Sequence, residues 1–344
     1  MGVFLLKKNI FKIIFVIIGA LIGAGFASGQ EIYVFFYSYG IYGIYGIIIS
    51  SLIIGAVIFK SLSIINEKQI GTYRDFLKEI FNCNNKVIEK IDIIIKIFIL
   101  ITFFIMIAGF GAYFEQEYKI NSIIGSSALA FCCYFILNNN IDGVIKVNEI
   151  LIPILISFIL ITGYLNIKSI NIYNLRGLLI QQINLCFVLK AIIYSSYNSI
   201  LLIPVLITLK DFLKGKKQIL IVSIVTCILI ILLSIVIFLL LTKVDIDIKM
   251  LEMPAIYVIS NYSKKLKNIY GFVILGAIFT TAISLGISYL VDKERNKNNY
   301  KITVMLMCIV AVLTSKIGFS KLISFLYSIF GCIGITQIIK ILLF

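Results

Sequence analysis

The chain has 344 residues, of which 61% are hydrophobic and 14% charged, with a mean hydropathy of +1.08. Soluble domains average about 45–50% apolar and about 25% charged residues, so a water-soluble globule is excluded. The net charge of +15 does not indicate nucleic acid, because the basic residues lie in short stretches between apolar runs rather than along one face.

There is no histidine and no tryptophan. That excludes imidazole-based zinc sites, haem ligation through histidine, Ser-His-Asp triads and histidine proton relays. The seven cysteines (Cys83, Cys132, Cys133, Cys186, Cys227, Cys308 and Cys332) show no CxxC spacing. Most fall inside apolar runs and read as small buried hydrophobes.

A membrane span needs about 20 mostly apolar residues to cross about 30 Å of hydrocarbon. In chain order, ten runs qualify: 11–37, 41–62, 91–113, 121–137, 147–165, 181–209, 218–241, 269–291, 302–316 and 321–343. The first is too long for a cleaved signal peptide and lacks a small-residue cleavage site, so it is expected to stay as the first span. Segments assigned to the inner side carry nineteen Lys and Arg against ten outside. This excess predicts a multi-pass protein of the bacterial cytoplasmic membrane with both termini cytoplasmic. The basic loop Lys293–Lys301 is read as a topology and anionic-lipid signal. The tyrosines around the outer turn, Tyr33 to Tyr45, are read as an interfacial belt.

The chain is expected to form a single transmembrane domain with two halves, repeat one about 11–165 and repeat two about 181–343. Each half opens with a long span interrupted near its middle. The interruptions are Gly23-Ala24-Gly25-Phe26-Ala27-Ser28-Gly29 in the first span and Tyr194-Ser195-Ser196-Tyr197-Asn198 in the sixth. Each half then carries a polar connector between its second and third spans: Thr72–Phe81, and about Met250–Lys265 with Pro254 at a short helix's first turn. An odd number of spans per half puts these connectors on opposite sides. That is the pattern of an inverted repeat, as found in secondary transporters.

The glycines of the first span have two readings. GxxxG-like spacing at Gly19/Gly23 and Gly25/Gly29 suits close helix packing. An unwound stretch instead offers free N–H groups to a carboxylate and free carbonyls to a cation, and irregular backbone at membrane depth is tolerated where it lines a cavity. The polar run Ser28-Gly29-Gln30-Glu31 favours unwinding, and a zwitterion matches both ends of such a break.

The stretch Gly19-Ala20-Leu21-Ile22-Gly23-Ala24-Gly25-Phe26-Ala27-Ser28-Gly29-Gln30-Glu31 resembles the opening motif of the YkvI family of bacterial membrane proteins. It is more distantly similar to the GxxIGxG stretch of the amino acid–polyamine–organocation superfamily. Ala108–Ala112, Asn148–Pro153, Tyr194–Asn198 and Phe279–Ala282 support the resemblance, which covers nearly the whole chain. It implies an all-α polytopic protein of LeuT-like fold: ten transmembrane helices as two five-helix inverted repeats, with helices 1 and 6 broken. It further implies that Gly23, Ala24, Gly25, Phe26 and Ala27 meet the substrate through their backbone, facing Tyr194, Ser195, Ser196, Tyr197 and Asn198. Thr280 and Thr281, with Ser284 one turn on, lie where LeuT-like sodium symporters hold Na⁺ against first-span carbonyls such as that of Gly23. Helix packing is the competing reading of these hydroxyls.

Two charges stand out on their own. Glu31 lies within the first span just past the glycines, and a carboxylate there is costly and usually functional. Lys190 falls nine residues inside the predicted sixth span, one turn before Tyr194. It either snorkels to the interface or pairs near the cavity, with Glu31 as the nominated partner. Lys96 is read as snorkelling, and Asn148 and Glu149 as interface polars.

These features predict a secondary transporter of a small zwitterionic or organic solute, an amino acid first among them. It would work by alternating access coupled to Na⁺ or H⁺. The alternative is a non-transporting solute sensor on the same fold. No cofactor is expected beyond Na⁺, and the partners expected are the solute and membrane lipid. Without an HExxH motif, an in-span carboxylate pair or a nucleophile with its base, no enzyme activity is expected.

Overall fold

A computed structural model describes residues 2–139, 142–167, 185–213, 215–244, 247–290 and 298–344. The predicted start of the second repeat at 181 and most of the Lys293–Lys301 loop lie outside these residues, as do the side chains of Asn148 and Glu149. Among the described residues the structure is helical, without strands.

Among the described residues, the ten predicted apolar runs fall on helical segments. The first is divided into α1 (Gly2–Leu21), α2 (Ala24–Ala27) and α3 (Gln30–Phe35). There follow α4 (Tyr42–Lys68), α5 (Tyr73–Phe81), α6 (Asn85–Tyr118), α7 (Ser122–Asn139) and α8 (Asp142–Ile167). The second half holds α9 (Cys186–Thr208), α10 (Lys216–Leu241), α11 (Pro254–Ser260), α12 (Lys264–Leu290) and α13 (Asn298–Thr314). The last span is α14 (Phe319–Leu322) and α15 (Ser328–Leu343), joined through one π-helical turn at Ile323–Tyr327. Seven of these segments (α4, α6, α9, α10, α12, α13 extended to Ile317, and the last span) are long and apolar enough to cross a membrane. Ser122–Asn138 and Leu151–Leu165 are shorter apolar helices. The chain is therefore a multi-pass membrane protein.

The two connectors fold as their sequences predict. Thr72 caps α5: its hydroxyl accepts the Asp75 N–H at 3.1 Å and donates to Asp75 Oδ2 at 2.6 Å, satisfying an amide that the first turn leaves unpaired. Its apolar face, Phe76, Leu77 and Ile80, is buried. Pro254 opens α11, where its missing N–H costs nothing.

One prediction fails. The sixth span is not broken at Tyr194–Asn198, because α9 runs through it as a continuous helix. Ser195 Oγ donates to Ala191 O at 2.7 Å, Ser196 Oγ to Ile192 O at 2.7 Å, Asn198 Nδ2 to Tyr194 O at 2.9 Å, and Ser199 Oγ to Ser195 O at 2.6 Å. Short polar side chains inside apolar surroundings bond the preceding turn of their own helix. The composition that suggested unwinding is absorbed without it.

Packing places α9 at the centre, against α1, α4 and α15. The other large pairings are α6 with α12, α6 with α7, α4 with α10, α7 with α13, α8 with α12 and α8 with α10. At the end of the molecule carrying α5, Asn66 Nδ2 donates to Leu213 O at 2.9 Å, and Tyr73 Oη donates to Gln337 Oε1 of α15 at 2.9 Å. At the opposite end, α11 lies over the first-span break.

Candidate functional site

The break is built around two glycines, Gly23 and Gly29, whose backbone leaves the helical path. The last helical bond of α1 runs from the Ile22 N–H to Ile18 O at 2.8 Å. Gly23 is then extended, at φ −84° and ψ −173°, and the chain restarts as the single turn of α2. Ser28 and Gly29 form a second interruption, with Gly29 left-handed at φ +84°. A side chain there would be strained, and its Cβ would also press on Leu241 at 3.2 Å. From Leu21 to Ile32 every residue is buried except Gly23, beside which there is open space.

Three carbonyls at the break are bonded by the protein itself. Ala27 O accepts from Tyr270 Oη of α12 at 2.6 Å. Ser28 O accepts the Ala255 N–H of α11 at 2.8 Å. Gly25 O accepts from Ser28 Oγ at 3.1 Å. Two bonds then hold α11 in place, because Gln116 Oε1 accepts the Met253 N–H at 2.8 Å and its Nε2 donates to Met253 O at 3.1 Å. Nearby, Glu252 Oε2 accepts the Ser320 N–H at 2.6 Å, and Lys267 pairs with Glu117 at 2.8 Å.

Tyr270 is the hydroxyl by which α12 reaches the break. Tyr270→Phe deletes that bond and leaves a buried carbonyl without its donor, a loss of about 1–3 kcal/mol. A lower thermal midpoint for detergent-purified Tyr270→Phe is the expected result, with an unchanged midpoint contradicting this geometry.

Glu31 occupies the middle of the site at 3% exposure. Its carboxylate folds back over the break, where it accepts the Phe26 N–H and, through Oε2, the Tyr197 hydroxyl of α9 at 2.6 Å. The carboxylate thus ties the broken first span to the unbroken sixth. Gly25 makes the fold-back possible: a Cβ on it would overlap Oε1 and stand 2.7 Å from Cγ.

An aromatic wall surrounds this pair. Tyr197 stacks on Tyr327 of the π-helical turn, with centroids 4.4 Å apart, and Phe35 lies 5.5 Å from both Tyr194 and Tyr197. Tyr194, Tyr197 and Tyr327 are all buried. Tyr270 and Tyr327 are site residues that the motifs did not single out. Their one signal was a tyrosine inside an apolar run.

The nominated Lys190–Glu31 pair does not form. Lys190 Nζ donates to Ser328 Oγ at 3.3 Å and sits 5.4 Å from the centroid of the Phe35 ring. Within the described helix, which starts at Cys186, Lys190 is in the second turn. A cation held over an aromatic face is a stable alternative to an ion pair. Lys96 is held by Asp92 at 2.8 Å.

Thr280 is buried, and its hydroxyl donates to Gly276 O at 3.1 Å and Ala277 O at 3.2 Å; Ser284 Oγ donates to Thr280 O at 2.9 Å. Thr281 is partly buried beside them. Thr280 lies ten residues past Tyr270, about 15 Å further along α12. The hydroxyl oxygens keep lone pairs that a hard cation can use.

No family model matches the chain. It is 26% identical over 343 residues to "Uncharacterized membrane protein YkvI" of Bacillus subtilis (strain 168), covering 96% of this chain and 95% of that protein. It is 27% identical over 336 residues to "Uncharacterized protein YyaD" of the same organism, covering 97% and 96%. The likeness spans nearly the full length of each protein and is consistent with a YkvI-like membrane family.

Proposed function

We propose that the chain is a secondary active transporter of the bacterial cytoplasmic membrane, with both termini cytoplasmic. It would move a small zwitterionic or organic solute by alternating access, an amino acid being the first candidate. The observation that carries this reading is the broken first span at the centre of the bundle, with Glu31 buried in it and bonded to Tyr197 of the sixth span. A carboxylate at that depth is expensive to keep and is retained for function. Gly23, with open space beside it, supplies the point at which a solute enters.

Most of the helix pairings support an inverted repeat, the close α6–α7 packing, which has no packed α12–α13 counterpart, being the exception. Exchanging each span of the first half with its counterpart in the second carries α4–α9 onto α1–α10 and α9–α15 onto α1–α8. It also carries α8–α10 onto α4–α15 and α7–α12 onto α6–α13, and all eight pairs are packed. The pairs α1–α9, α4–α10, α6–α12 and α7–α13 map onto themselves, as they do in two halves related by a pseudo-two-fold axis.

Protons suit the site better than sodium as the coupling ion. Glu31 already joins the two spans that must move apart, and taking up a proton removes the charge that Tyr197 and the Phe26 amide hold. Sodium would instead fall to Thr280 and Thr281.

Reconstitution into proteoliposomes tests both. Uptake of a labelled amino-acid mixture is expected under an inward proton gradient, to be abolished by a protonophore and unchanged when choline replaces Na⁺. Uptake that requires Na⁺ and fails in Thr280→Val moves the coupling to α12. Saturable binding without flux marks a sensor, and neither binding nor flux removes the amino-acid assignment.

A further inference from the structure

Away from the break, a cleft of about 340 Å³, its open mouth included, lies between α5, α6, α9 and α15. Ile95, Ile200 and Gly334 form its buried floor, while Ile94 and Ile333 on its rim are 38% and 41% exposed. Exposed isoleucines on membrane-spanning helices face lipid, so the cleft opens toward acyl chains rather than water.

One polar group in this lining has an unmet need. Gln337, 4% exposed, accepts the Tyr73 hydroxyl through Oε1, yet its Nε2 is buried without an acceptor. A buried donor of this kind calls for an oxygen from outside the chain.

The depth says where that oxygen comes from. The lining residues of α6 and α15 lie six to ten positions from the helix ends nearest α5, about 9–15 Å. α6 has 34 residues, about 51 Å, and so overhangs a hydrocarbon core of about 30 Å by about 10 Å at each end. The cleft therefore sits at the hydrocarbon boundary, where phospholipid ester groups lie. Lys90 precedes Ile94 by one turn and Lys340 follows Thr336 by one turn, both exposed and both toward the α5 end. That spacing puts each lysine on the cleft-lining face of its helix. The acidic residues flanking Lys90 in sequence are engaged elsewhere, Glu89 with Arg74 at 2.6 Å and Asp92 with Lys96 at 2.8 Å.

We propose that the cleft is a binding site for one anionic phospholipid. An acyl chain lies against Ile94, Ile95, Ile200 and Ile333, an ester carbonyl accepts from Gln337 Nε2, and the phosphate sits between Lys90 and Lys340. Because Tyr73 bonds the same glutamine, the lipid would brace the contact between α5 and α15.

Native mass spectrometry of the full-length, delipidated protein tests this with phosphatidylglycerol, its ether-linked analogue and phosphatidylcholine. One phosphatidylglycerol per chain is expected, retained at least tenfold more strongly than phosphatidylcholine and more strongly than the ether lipid. Lys90→Gln with Lys340→Gln, both at exposed positions, is expected to erase the preference for the anionic headgroup. Gln337→Leu is expected to erase the difference between ester and ether lipids. Equal retention of the two headgroups, or a preference that survives the double lysine variant, overturns the proposal. Should Gln337→Leu not fold, the ester–ether comparison on the unaltered chain decides the carbonyl contact, and equal retention there overturns it.

Discussion

Glu31→Gln is expected to abolish proton-driven uptake, a loss on the order of 100-fold or more, as befits a carboxylate kept inside a membrane span for function. Glutamine keeps the volume and one acceptor for the Phe26 amide, and its NH2 can donate to the Tyr197 hydroxyl, which can accept as well as donate. The folded chain should therefore be little affected, with a stability change within about 1 kcal/mol. What it cannot do is take up and release a proton. Glu31→Ala separates the two roles from the other side, since it strips the acceptor from two buried donors. Each donor left bare costs about 1–3 kcal/mol, so this variant should be both inactive and thermally weaker. Uptake by Glu31→Gln with an unchanged dependence on the proton gradient would remove Glu31 from the coupling mechanism.

Gly25→Ala should be nearly as damaging for transport and worse for stability. Its Cβ would overlap Glu31 Oε1 and lie within 2.9 Å of Cδ, so the whole carboxyl group must leave the break. The loss combines a charged hydrogen bond, about 1.5–3 kcal/mol, with the strain of overpacking, about 1–3 kcal/mol. Because the clash is with one side chain, it should vanish when that side chain is removed. In a Glu31→Ala background the same substitution is expected to cost far less, giving a coupling of about 1–3 kcal/mol in a double-mutant cycle. Thermal unfolding of the four proteins measures it. Additive losses would mean that the carboxyl group does not lie over Gly25.

Much of this architecture is legible in the sequence, and the reasons differ from element to element. The helices long enough to cross a membrane are set by the length of their apolar runs. The division of the first span shows because Gly23, Gly25, Ser28 and Gly29 combine backbone freedom with polarity. Pro254 and Thr72 mark the starts of α11 and α5 through local chemistry alone. The sixth span misleads because Ser195, Ser196, Asn198 and Ser199 can satisfy themselves within the helix or by leaving it, and composition does not choose between the two. The Glu31–Tyr197 bond joins residues 166 positions apart, and its existence depends on how two helices meet. Sequence spacing does not reveal that Lys190 meets the Phe35 ring and Ser328 rather than the carboxylate, because that depends on how α9 meets the last span. The part played by Tyr270 was hidden for a similar reason, since one tyrosine in an apolar run carries no sign of the carbonyl it will meet.

The bond from the Ala255 amide to the Ser28 carbonyl has a consequence for how the molecule can change over evolutionary time. Both of its atoms belong to the main chain, and a first-turn N–H is not required by its own helix. No side chain is needed to make the bond, so at position 255 only an imino acid removes the donor itself, while a larger residue there would act by pushing the buried helix off the break. Five of the seven α11 residues are buried, so side-chain change without repacking is confined to the half-buried Tyr257 and Ser260. Changes at Tyr257 and Ser260 are thus a poor guide to whether the closure beneath them has been lost, whereas changes at the buried positions bear on it directly.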